Sequence, residues 1–254
     1  MPSRAVEAAL LTAVGIAATA LAFTLLKPYL FPQKAINLEI IRDNVENLAM
    51  ILDKKGGRFT PQTTYLMQTE GARFRAEIRV KDYNNELIWT VDFTLPLPTA
   101  NITLDEKYTP FILRGSISPY ANATAPTMVI VEGTKVEILL RPTLHVEDCE
   151  YYGLKCKRVG LTIPVLHPEA SGKPASRLVC TAGRAVDVYL NGSTILPPEL
   201  KYGKKLLITM KILDLNNNIR EILGFSLEHE LQLDLRENGI FFIQYIFDNI
   251  VVKC

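Results

Sequence analysis

Residues Ala8 to Leu26 form an uncharged run of 19, AALLTAVGIAATALAFTLL. As a helix rising about 1.5 Å per residue, the run is about as long as the apolar core of a bilayer is thick. A chain carrying such a segment must supply lipid or other apolar helices around it. Lys27-Pro28-Tyr29 closes the run with a charge, a helix breaker and an interfacial aromatic. A cleaved secretory signal is the alternative. Its apolar stretch is normally shorter and ends in a small-x-small site, whereas Ala18-Thr19-Ala20 and Ala20-Leu21-Ala22 both lie inside the run.

Small residues recur along one helical face of the run. Ala9, Ala13 and Ala17 are spaced four apart, with Gly15 and Thr19 spaced likewise. Such faces let helix backbones approach closely, so self-association through this helix is expected; the competing reading is that Ala is simply common in membrane spans. Glu7 stands at the helix start, where a carboxylate is favourable with the helix dipole but costly in lipid without a partner.

The segment Ser3-Arg-Ala-Val-Glu7, followed by this apolar run, resembles the N-terminus of type IV pilin-like proteins, archaeal ones above all. In that family a short basic leader is removed, the apolar helix forms a filament core, and a glutamate at mature position five pairs with a neighbouring N-terminus. Counted from Ser3, Glu7 falls on that position. The leader departs from the pattern, because Met1-Pro2 offers neither a basic residue nor a Gly or Ala before Ser3. A cut after Arg4-Ala5 has both but places Glu7 second.

From Ile36 onward the apolar pattern has period two, and the fold class it predicts is mainly β, an antiparallel sandwich region behind an N-terminal helix. Phe74, Ala76, Ile78 and Val80 share one face, with charges on the other. After Asp82 to Glu86 comes Leu87 to Leu95 with Trp89, Val91 and Phe93 on one face, which reads as a hairpin ended by Pro96 and Pro98. Gly133 reads as a turn between Met128–Glu132 and Lys135–Leu140, Asn216–Asn218 as a turn after Lys205–Leu215, and Arg236–Gly239 as a turn before Ile240–Phe247. Asn44 to Lys54 is ambiguous and reads as a strand, because Lys55-Gly56-Gly57 resembles a hairpin turn. Ile240 to Val252 is apolar on both faces, as in a central strand covered on both sides or one that meets another subunit. His167 to Pro174 reads as a linker. The organisation expected is therefore a helix at 1–30, a β-sandwich at 31–166, the linker at 167–174, and at 175–254 a second Ig-like sandwich or a continuation of the first. No internal repeat or low-complexity tract stands out.

Twenty-eight basic residues balance 27 acidic ones, and the richest basic cluster is only Lys201, Lys204 and Lys205. That pattern excludes a nucleic-acid partner. Gln is scarce, which suits a thermophilic source. The four cysteines, Cys149, Cys156, Cys180 and Cys254, allow three pairings. Closure of the short loop between Cys149 and Cys156 leaves Cys180 to Cys254; buried free thiols are the other reading. Three sequons, at Asn101, Asn122 and Asn191, each lie beside turn residues, as exposed glycan acceptors should. The cysteines and sequons place the large domain outside the cell, since Arg4, Lys27 and Lys34 give no clear positive-inside vote.

His145, Glu147, Asp148 and Cys149 are the one cluster of ligand-type residues, and without a second cluster they read as a solvated turn with no metal. His229, between Leu227 and Leu231, reads as a core or interface histidine, and His167 as part of the linker. The chain has no phosphate loop, nucleophile elbow or H-E-x-x-H, so no enzyme and no cofactor is expected. The function expected is a structural subunit of an extracellular pilus-like filament, membrane-associated before assembly and adhesive in its outer domain. The alternatives are a single-pass membrane-anchored envelope scaffold and, less favoured, an anchored extracellular enzyme.

Overall fold

The computed structural model describes residues 36–121, 125–170 and 173–254. The expected helix-packing residues Ala9, Ala13, Gly15 and Ala17, together with Glu7, lie outside the described residues. No helix among the described residues is long and apolar enough to cross a membrane. Ile36–Cys254 form one compact unit, mainly β, with a single helix among its described elements.

That helix, α1, spans Leu38–Lys54. It replaces the strand expected over Asn44–Lys54. Ile41, Asn44, Val45, Leu48, Ala49 and Leu52 are buried at helical spacing. Asn37 caps the start, its side chain accepting from the Ile40 N–H, and Lys55 ends the helix in the left-handed region. The Lys55-Gly56 signal is therefore a helix C-terminus, after which β1 (Gly56–Phe59) begins.

Strands β2 (Tyr65–Lys81), β3 (Leu87–Arg114) and β4 (Thr127–Leu140) follow as an antiparallel meander. Then come β5 (Thr143–Tyr151), β6 (Leu154–Ala170), β7 (Lys173–Pro174), β8 (Arg177–Cys180), β9 (Val186–Ile195) and β10 (Glu199–Leu213). The short pair β11 (Glu221–Ile222) and β12 (Phe225–Ser226) precedes β13 (Glu228–Lys253). The expected hairpin at residues 82–86 forms between β2 and β3. Asp82 accepts hydrogen bonds from the N–H groups of Asn84 and Glu86, and Asp214 repeats the arrangement with Asn216 and Asn218.

Three expected breaks are instead bulges in longer strands. Pro96 and Pro98 do not end β3, which runs on to Arg114. Pro98 faces a register shift in which β2 passes from Gln68 to Ala72 while β3 passes from Thr99 to Leu97. Before Thr99 the outer edge of β3 has no pairing with β4, so neither proline deprives β4 of a donor. Gly133 lies within β4, at an irregularity of the β3–β4 ladder. Residues 236–239 lie within β13, where the β10 register shifts between Gly203 and Lys205. Nor do 167–170 and 173–174 read as a linker, since the former end β6 and the latter are β7, which pairs with it. Strands on both sides of these residues share one sheet, β10 pairing with β2 and β13 with β6. The β6–β13 pairing is parallel, an exception to the antiparallel expectation.

The bulge opposite Pro98 lies where β2 and β3 pass between two hydrophobic cores. Tyr65 and Met67 of β2 belong to the first core, and Phe74, Ile78 and Val80 to the second. On β3 the change falls between Leu97 and Ala100, on β6 between Ile163 and Leu166, and on β13 between Tyr245 and Ile250. Helix α1 covers the first core. The second is closed by β10 and the first half of β13. β13 is central, paired with β6 on one edge and with β9 and β10 on the other, and it is apolar on both faces because Phe241, Ile243 and Tyr245 enter the second core while Ile250 and Val252, of opposite parity, enter the first.

At the bend of the β10–β13 pair, Gly203 faces Gly239. A Cβ on Gly239 would stand 2.3 Å from the Lys155 carbonyl oxygen, and one on Gly203 would stand 2.6 Å from Val80 Cγ1. Bare backbone is what lets β6 join β13 at this point. Gly239→Ala is expected to lower stability by about 1–3 kcal/mol, read as a lower urea midpoint with an unchanged slope.

Candidate functional site

Buried polar contacts fasten α1 and the second core. Asn44 accepts from the Tyr65 hydroxyl and from the Gln62 N–H. Asp53 pairs with Arg114 and accepts from the Thr127 N–H at 2.8 Å. Asp248, buried where β13 changes core, pairs with Lys55 and accepts from the Ser193 hydroxyl at 2.5 Å. Burial pushes the Tyr65 hydroxyl well above its ordinary range. Arg141 is fully buried and donates to the carbonyls of Ser116, Ser118 and Pro126, pinning the connection between β3 and β4. Burial pulls its guanidinium down to about 10, against the charge of Asp53.

Glu137 of β4 is buried and accepts two hydrogen bonds from Arg220, at 2.6 and 2.8 Å, and one from Lys135 at 2.9 Å. Burial alone would raise its carboxyl, but Arg220 and Lys135 overcome it and hold the group below the usual carboxylate range. A carboxyl lowered in the folded state stabilises fully above its unfolded value and loses that contribution as pH falls through the folded value. The wild-type urea midpoint is therefore expected to drop as pH falls below about 4. In Glu137→Gln that component is missing, so the variant should be less stable at pH 7 and should differ least from wild type in acid.

The four cysteines are bridged as Cys149–Cys156 and Cys180–Cys254. The first bridge joins facing residues of β5 and β6 two pairs from the hairpin tip. The second ties the last residue of the sequence to β8. His145 and Glu147 lie in strand β5, not in a turn, and their side chains approach to 3.4 Å. Asp148 pairs with Lys157, and Cys149 is committed to its bridge. Among the described residues no three His, Cys, Asp or Glu side chains converge as a metal site. His229 is exposed, with its ring edge-on to Tyr120 at 5.4 Å, rather than inward with Leu227. His167 approaches Asn249 at 3.2 Å. The sequons also differ in placement. Asn101 lies inside β3, not beside a turn, and its amide donates to Gln68 at 2.8 Å. Asn191 is exposed, and Asn122 lies outside the described residues.

The strongest candidate for recognition is a sheet face. Phe241, Ile243 and Tyr245 of β13 point into the second core, which leaves Ile240, Phe242 and Ile246 half-buried on the other face. Leu200 and Tyr202 of β10 sit opposite Phe242 and Ile240, and are 50% and 56% exposed. Tyr151 stacks edge-on against both Phe242, at 5.3 Å, and Tyr152, at 4.5 Å. Tyr152 is 89% exposed at the tip of the β5–β6 hairpin. Helix α1 belongs to the first core, so among the described residues this stretch of apolar face lacks the cover it gives there. Sequence reasoning pointed to the second face of β13 but missed the tyrosines, whose neighbours come from three distant strands.

The grooves near this face are shallow and mixed in charge. One of about 490 Å³ is lined by Asp148, Glu150, Lys155, Lys157 and Asp234. An exposed apolar face of this extent suits protein association better than small-molecule chemistry. Replacing Leu200 and Tyr202 together by Ser is expected to change stability by less than about 0.5 kcal/mol each while sharply reducing binding of a hydrophobic dye. No family model, curated protein or solved structure matches the chain.

Proposed function

We propose that the chain is a structural subunit of an extracellular pilus-like filament, with N-terminal helices bundled in the core and the β unit outside. The observation that carries this reading is an uncharged 19-residue run with a small-residue face and Glu7 at its start, placed ahead of a compact unit with two disulfide bridges. Disulfides favour an oxidising location. The apolar face of β13, left half-buried among the described residues, supports a unit that packs against neighbours. The two cores are read as the interiors of sandwich-like layers, and the hairpin tip as the adhesive part.

A second reading, a single-pass anchored envelope scaffold, is favoured by one feature, the length of the uncharged run, whose 19 residues suffice to span a bilayer without any partner helix. Mass spectrometry of the native N-terminus separates the two. Cleavage before Ser3 or Val6 supports the filament, and an intact Met1 supports the anchor. Electron microscopy of cells making the chain should show filaments that label with an antibody to the β unit. Ala13→Leu should abolish them without lowering the amount of chain in the membrane. Unchanged filaments in that variant would sink the small-residue packing.

A further inference from the structure

Among the described residues the outer edge of β9 is open beyond Tyr189. β1 pairs with Val186 to Tyr189 and goes no further. On its other edge β9 follows β13, but Asn191 and Gly192 together face the single residue Asn249, because Leu190 pairs with Ile250 and Ser193 with Asp248. Two residues against one make a bulge, and Gly192, at φ +86, supplies the left-handed backbone it uses. Asn191, Gly192 and Ser193 are all exposed, and they spell an N-x-S sequon. The Asn191 carboxamide makes no hydrogen bond to any described side chain or backbone group.

Asn101 offers the reverse. It is paired on both edges, with Leu66 of β2 and Glu137 of β4. Its Nδ2, the atom that would receive a sugar, is spent on Gln68 Oε1 at 2.8 Å and Thr99 Oγ1 at 3.4 Å. Its Oδ1 is buried. A glycan there would have to displace β2 or β4.

We propose that Asn191 is an N-linked glycan acceptor of this fold and that Asn101 is not. In the transfer, the anomeric carbon of the first sugar bonds to Asn191 Nδ2. Its bond to the pyrophosphate oxygen of a lipid-linked donor breaks, the lipid pyrophosphate leaves with that electron pair, and one Nδ2 proton passes to a base of the transferase. The Ser193 hydroxyl must turn from Asp248 toward the enzyme, and its exposure permits that. A glycan at this position also covers the unpaired stretch of β9, where Leu190 and Ile195 are exposed and a second chain would otherwise add a strand. Occurrence in the cell rests on the extracellular placement proposed above; the acceptor geometry does not.

The test uses the purified full chain in detergent, a single-subunit oligosaccharyltransferase and a lipid-linked oligosaccharide, with a flexible N-x-T reporter peptide in the same tube. Glycopeptide mass spectrometry is expected to give occupancy at Asn191 at least tenfold above that at Asn101. Asn191→Gln should remove that glycan, Ser193→Thr should keep it, and Asn101→Gln should leave it unchanged. Synthetic peptides covering 96–106 and 186–196 should both be glycosylated, which assigns the difference to the fold. Equal occupancy of the two sites in the folded chain, or a bare Asn191 beside a glycosylated reporter, overturns the proposal. Because the reaction is run in vitro, that result is independent of whether the chain forms filaments or where it resides.

Discussion

Strands β2, β3, β6 and β13 must each serve two hydrophobic cores, and the rest of the architecture depends on that demand. A strand has two faces, and regular alternation assigns one of them to a core along its whole length. On β2, β6 and β13 the buried residues change parity partway: 74, 76 and 78 against 65 and 67; 159, 161 and 163 against 166; 241, 243 and 245 against 250 and 252. On β2 the register shift between Gln68 and Ala72 marks the change. On β13 it is marked by the shift between Asp248 and Ile250. The parallel partner β6 keeps an unbroken register with β13 from Cys156 to Glu169, so the two strands change core together. One sheet thereby supports a helix-covered layer and a sheet-covered layer without a linker between them.

The buried ionic groups sit at the joints of this arrangement. Lys55, the left-handed residue that ends α1, reaches Asp248 at the point where β13 changes core. Arg220, in the excursion between β10 and β13, grips Glu137 on β4. Such pairs contribute little net energy over well-packed apolar residues, but losing one partner strands a buried charge. Their effect here is to fix which part of the excursion meets which strand.

Regular alternation made the β2–β3 hairpin and the centrality of β13 legible in the sequence. Residues 74–80 and 89–95 face as their pattern requires, because one face packs on the core and the partner is the next strand, whereas Leu87 lies past a register shift and is exposed. The breaks were not legible. Proline and glycine mark a turn and a bulge alike, and what separates the two is whether the chain has a partner strand on the far side, a long-range fact. Hence Pro96, Gly133 and Gly239 read as ends when they are bends. Helix α1 was misread because Lys55, not glycine, takes the left-handed cap and the Gly-Gly after it looks like a hairpin. The recognition face was half legible. The apolar pattern of Ile240, Phe242 and Ile246 is local, but Leu200 and Tyr151 join it only through the fold.

The parallel β6–β13 ladder also sets how the unit bears load. Its 14 residue pairs, Ile240–Cys156 through Lys253–Glu169, lie side by side along one direction. Tension applied along those strands shears the ladder, so its hydrogen bonds share the force and must fail together. A hairpin pulled open from its free ends gives way one pair at a time. The Cys180–Cys254 bridge fastens the far end of β13 to β8, which pairs with β2. Peeling from the C-terminus is thereby blocked by a covalent clamp, and the strand at the centre of the sheet is held as a tensile member.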